Sequence, residues 1–153
     1  MTSSGPPMRL SGKVLAACGL WMILLGVYFI LLRPALLPED PRFMGTSIEA
    51  LRAAAPGFEG WLGHVFNVMG GFMVAAGTMT ILVAWRFLAS RAPRTFLALA
   101  VTGASGVALM SATNFLLHSD FRWLLLAPVL LWLAGLGCYL LERGGHDGNR
   151  EVT

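Results

Sequence analysis

Five polar residues carry the chemistry open to this chain in its apolar stretches and at their edges: His64, Asn67, Asn114, His118 and Asp120. His64 and Asn67 are three apart and Asn114 and His118 four apart. On a helix each pair therefore occupies adjoining parts of one face. A neutral imidazole donates at one nitrogen, accepts at the other, and titrates near neutral pH. Beside an amide it could hold the head of an amphiphile (a lipid, an isoprenoid or a sterol-like molecule) and exchange a proton with it. Two imidazoles facing each other could instead ligate a b-type haem or another metal, with Asp120 tuning His118 from behind. The bland reading is that these side chains satisfy helix ends, water and one another. All three readings stay open here, and the sequence assigns neither a reaction nor a cofactor.

No other stretch offers chemistry of its own. The chain has no P-loop, no HExxH, no GxSxG and no dinucleotide-binding glycine fingerprint. Gly70-Gly71 lacks a following GK[ST] and lies inside an apolar run, where glycines serve packing. The adjacent acids Glu39 and Asp40 read as solvated loop residues, and so does His146 beside Asp147. Cys18 and Cys138 have no CxxC spacing and read as small apolar packing residues. Leu15-Ala16-Ala17-Cys18 looks like a lipoprotein box, but only Val14 separates it from Lys13, so no hydrophobic region precedes the cysteine. The first apolar run is too long for a cleaved signal peptide and ends in no small-x-small site.

The elements that must position these residues follow from composition. Of the 153 residues, 56% are hydrophobic and 12% charged, about half the charge of a soluble domain. Four apolar runs, 14–32, 62–88, 96–117 and 123–141, each approach the roughly 20 residues that a bilayer core requires. The expected fold is an all-α membrane protein with four transmembrane helices in a left-handed antiparallel bundle. Polar tails at 1–13 (disordered) and 142–153 flank the transmembrane domain 14–141, and residues 33–60 form the long loop. In that loop Thr46 and Glu49 fit a capping box. Ile48, Leu51 and Ala55 follow at helical spacing and predict a short amphipathic surface helix ended by Pro56-Gly57.

Small residues recur every seventh position: Gly12, Gly19 and Gly26 in the first span, and Gly63, Gly70, Gly77 and Ala84 in the second. Such stripes let helices approach backbone to backbone. The third span is small or weakly polar nearly all round, which predicts that it is the most buried helix. Antiparallel second and third spans would set His64 level with His118 and Asn67 level with Asn114. By helical rise His64 lies about 5 Å, and Asn67 about 9 Å, inside the interface marked by Trp61.

Basic residues set orientation. Seven (Arg9, Lys13, Arg86, Arg91, Arg94, Arg143, Arg150) fall on the side of the termini and four (Arg33, Arg42, Arg52, Arg122) on the other. Cytoplasmic termini and a periplasmic 33–60 loop are therefore expected, and the Arg-, Ala- and Gly-rich composition suggests a bacterial inner membrane. The basic residues form no continuous patch, so no nucleic-acid partner is expected. The partners expected are a membrane lipid or other amphiphile, and further subunits in a homo-oligomer or a larger membrane complex. Two functions result: an amphiphile-binding protein that could act on its ligand, or a non-catalytic subunit whose stripes serve assembly.

Overall fold

The structure, a computed structural model, describes residues 9–86, 88 and 93–147, the side chains at 93 and 144–147 excepted. The described residues form helices and turns without strands. These are α1 (Leu10–Leu31), α2 (Glu39–Met44), α3 (Ile48–Ala54), α4 (Phe58–Arg86), α5 (Pro93–Gly103), α6 (Leu109–Leu116) and α7 (Ala127–Asp147). A π-helical turn, Ala104–Ala108, joins α5 to α6 into one span, and a 3-10 turn, Leu124–Leu126, leads into α7. Four helical stretches are long and apolar enough to cross a membrane: Leu10–Leu31, Phe58–Arg86, Arg94–Leu116 and Leu124–Arg143.

Four helices outrun their apolar runs: α4 from Phe58, α5 from Pro93, and the two at the chain ends, α1 and α7. Helix α1 begins at Leu10, so residues 10–13 of the predicted tail are helical, and α7 continues to Asp147. The physical reason lies in one contact between them. The Ser11 N–H and hydroxyl donate to the two carboxylate oxygens of Glu142 at 3.1 and 2.7 Å. A carboxylate from α7 thus satisfies a first-turn N–H of α1 and sits against the positive end of its dipole. Residues 1–8 of the first tail, 87 and 89–92 of the Arg-rich connection, 148–153, and the side chain of His146 lie outside the described residues.

The small-residue stripes of the first two spans meet each other, except at Gly63, where a β-carbon would meet nothing within 4 Å. A β-carbon on Gly26 would fall 2.6 Å from the Gly70 carbonyl oxygen, and one on Gly77 would fall 2.5 Å from that of Gly19. Residue 19 faces 77 and 26 faces 70, so α1 and α4 run antiparallel along one glycine seam. The next step of that register brings Gly12 opposite Ala84, and both are buried.

The most buried helix is α1, which corrects the expectation for the third span. It packs along α4 through the seam and along α7 on its other side. There Leu15 fills the space over Gly135, and the Cys18 thiol donates to the Pro128 carbonyl at 3.3 Å. The third span escapes burial because its polar groups bond within the helix. Thr102, Ser105 and Thr113 donate to the carbonyls of Ala98, Val101 and Leu109 at 2.8–2.9 Å. Hydroxyls satisfied in this way can face lipid. The third span is held instead by Trp132, whose indole lies over Gly103 and donates to the Leu99 carbonyl at 3.0 Å. Any side chain on Gly103 would occupy the place of that ring.

Candidate functional site

The loop between α1 and α4 folds as two short helices. Serine, not threonine, caps the second: Ser47 is the N-cap of α3, and its hydroxyl accepts from the Ala50 N–H at 3.1 Å. The predicted box was one residue early, because Ser47 has the extended backbone that an N-cap needs. Glu49, in the first turn, holds its carboxyl below the ordinary value. Its own backbone N–H contributes most to this, followed by the Ser47 hydroxyl.

The two predicted polar pairs have different surroundings. His64 and Asn67 are exposed on α4 and make no hydrogen bond to any described residue. At about 100° per residue they lie roughly 120° and 60° around the helix from Gly70. Gly71, Ala75 and Thr78 fall in the same sector, and all five residues are exposed. Ala76 and Val83, which line the core, lie round the other side of α4. His64 and Asn67 therefore point away from the core. On α1, Leu20, Leu24, Val27 and Leu31 are exposed and sit about 80–140° from Gly19 in the same rotational sense. Because the pair is antiparallel, equal rotations open on one side. The two stripes share one outward face.

Asn114 is half-buried, and its amide donates to the Met110 carbonyl of its own helix at 2.9 Å. His118 ends that helix. Its φ of 52° is the left-handed value, the only positive one for a non-glycine among the described residues. Its N–H donates to the Phe115 carbonyl at 3.1 Å, and the next N–H, of Ser119, to the Asn114 carbonyl at 3.0 Å. This is the Schellman pattern that closes a helix C-terminus. Asp120 pairs with Arg42 at 3.4 Å, both side chains largely exposed, a contact worth at most about 1 kcal/mol. The structure does not bring the two pairs together. Helices α4 and α6 make at most marginal contact, and no hydrogen bond links His64 or Asn67 to Asn114, His118 or Asp120.

Sequence reasoning missed a second polar group at this end. Glu39, expected to be solvated, is buried, and one of its carboxylate oxygens accepts from the hydroxyl of buried Ser119 at 2.9 Å. Arg33, counted only as an orientation charge, lies with its guanidinium carbon 3.5 Å from the centre of the Phe66 ring and 5.2 Å from that of Phe29. It donates to the Pro34 carbonyl at 2.9 Å and reaches Asp40 at 4.0 Å. Burial lowers the affinity of Arg33 for its proton, against the pull of Asp40, Tyr28 and Glu39. Two signals were available: an Arg immediately after an apolar span, and aromatics four or fewer residues from the ends of facing spans.

No known family model, curated protein or solved structure matches this chain. Its function therefore has to be read from its own geometry.

Proposed function

We propose that this is a small multi-pass protein of a bacterial inner membrane that binds an amphiphile on the outward face of the α1–α4 pair. One observation carries the reading. His64 and Asn67 are exposed, bond to no described residue, and head a stripe continued by exposed Gly71, Ala75 and Thr78. An imidazole and an amide about 5–9 Å below the interface need partners that lipid tails do not supply. A lipid, isoprenoid or sterol-like head would supply them. Its tail would lie along the small residues, walled by Leu24, Val27 and Leu31. Asn114, His118 and Asp120 have partners or roles elsewhere, so the proposed site narrows to His64 and Asn67. The haem reading needs the two imidazoles to face each other, and His64 points away from the core.

In this reading the termini are cytoplasmic, the spans form a left-handed antiparallel bundle, and α3 lies on the membrane surface. The proposed activity is binding, because no described acid or second imidazole is hydrogen-bonded to His64. A second reading is favoured by the same small residues. They admit a helix of another subunit as well as a lipid tail, which would make the chain part of a larger complex.

The test is native mass spectrometry of the purified protein. The expected species is a monomer or homo-oligomer carrying an amphiphile. Occupancy should fall at least tenfold in His64→Ala/Asn67→Ala and remain unchanged in Asn114→Ala. Equal occupancy in all three proteins would sink the site, and recovery only with other subunits would favour the second reading.

A further inference from the structure

We infer that Glu39 and Ser119 form a latch that holds the loop end of the molecule closed over a bundle hinged at its packed terminus end. The distribution of burial points to this. The main cluster of buried apolar side chains, Leu15, Cys18, Met22, Ala84, Leu88, Leu99, Val107, Trp132 and Tyr139, runs from the terminus end to mid-span, and Leu125 and Pro128 are buried at the start of the fourth span. At the loop end burial almost stops. From residue 27 to residue 69 only Glu39 and Pro41 are buried, and from 109 to 124 only Ser111 and Ser119. Two of these four residues are bonded to each other across the molecule.

The chain forms two hairpins at this end, α1–loop–α4 and α6–turn–α7. Within the first, the glycine seam and the Phe29–Phe66–Arg33 stack hold the helices together. Within the second, α6 packs on the 3-10 turn ahead of α7. Between α4 and α6 there is at most marginal contact. The hydrogen bonds across that gap, among the described residues, are Ser119 to Glu39 at 2.9 Å and Arg42 to Asp120 at 3.4 Å. The second is exposed and weak in water. The first is buried, away from competing water, which makes it the stronger tie. Arg33 seats the strap on the first hairpin, stacked on Phe66 and facing Asp40 next to Glu39. The Ser119 hydroxyl also accepts from the Phe121 N–H at 3.2 Å, which fixes its proton toward Glu39. Breaking this bond would let α6 and its turn part from the loop helices, while α1 stays packed on α7 from Glu142 to Pro128. The gap so opened faces the bilayer between α4 and α6. The inference does not depend on what occupies the outward stripe.

Pulsed electron-spin distance measurements test it, in a Cys18→Ser/Cys138→Ala background, where the serine hydroxyl keeps a donor for the Pro128 carbonyl. One pair of labels, at the exposed positions Val68 and Leu116, spans the gap; a reference pair, at Ala17 and Leu140, reports the terminus half. With the latch intact both pairs should give single narrow distances. Glu39→Ala and, independently, Ser119→Ala should lengthen and broaden the 68–116 distance and leave 17–140 unchanged. Glu39→Gln keeps an acceptor for the serine and should behave like the intact protein, and Arg42→Ala should change little. An unchanged 68–116 distance in both alanine variants overturns the latch. Broadening of both pairs together overturns the hinge.

Discussion

A single histidine shows how far residue type can mislead. His118 has the spacing and ring chemistry of a ligand-binding residue, yet its backbone closes α6 in the left-handed conformation. That conformation costs a side-chain-bearing residue about 1–2 kcal/mol relative to glycine. His118→Gly should therefore keep or raise thermal stability by up to about 1 kcal/mol, and His118→Val, β-branched, should lower it. A melting series in detergent checks both. If His118→Gly is strongly destabilising, the imidazole holds a contact beyond the helix end. Asn114 carries a similar lesson. A membrane amide needs a partner, but the Met110 carbonyl in its own helix, 2.9 Å away, is enough.

At the scale of elements, the glycine seam is the clearest cause of the fold. Gly70 and Gly71 are neighbours in sequence with opposite surroundings. A β-carbon on Gly70 would meet the Gly26 carbonyl oxygen at 2.6 Å, and one on Gly71 would meet nothing within 4 Å. Backbone on backbone cannot yield as a side chain can. Gly70→Ala should therefore separate α1 from α4 and cost about 1–3 kcal/mol. Gly71→Ala should be neutral or stabilise the helix by up to about 1 kcal/mol. Melting temperatures of the two variants, measured side by side, provide the check. Equal losses would mean that the helices do not meet at Gly70. A gain for Gly71→Ala would also show that its open face carries no protein partner in the purified state.

At the scale of the molecule the four long helices expose large apolar side chains outward, as a protein dissolved in lipid must. Leu31, Phe72, Leu116 and Leu141 are each more than 70% exposed. Trp61 and Trp85 sit near opposite ends of α4, about 36 Å apart by helical rise, where amphipathic rings favour the two interfaces. On the proposed reading, the seven-to-four bias of basic residues toward the side of the termini puts that side in the cytoplasm. Alkaline phosphatase fused after Gly45 should be active, and fused after Asp147 inactive. The reverse pattern would invert the topology and move the latch to the cytoplasmic face.

Span number, span type and the helix in the first loop were legible in the sequence, because bilayer thickness and backbone hydrogen bonding leave an apolar run of 20 residues little choice. The seven-residue stripes of Gly19, Gly26, Gly70 and Gly77 were legible as packing surfaces for the same reason. Which stripe meets which was not. That depends on the register of two helices separated by a long loop, and the 19–77 and 26–70 contacts decided it. Nor could spacing tell whether His64 looks toward the third span or away from it, since a helix face has no direction until a neighbour is packed on it. Glu39 is the sharpest case. Beside Asp40 it looks like any solvated loop acid, and only the chain's return, eighty positions on, supplies the serine hydroxyl that lets its carboxylate be buried.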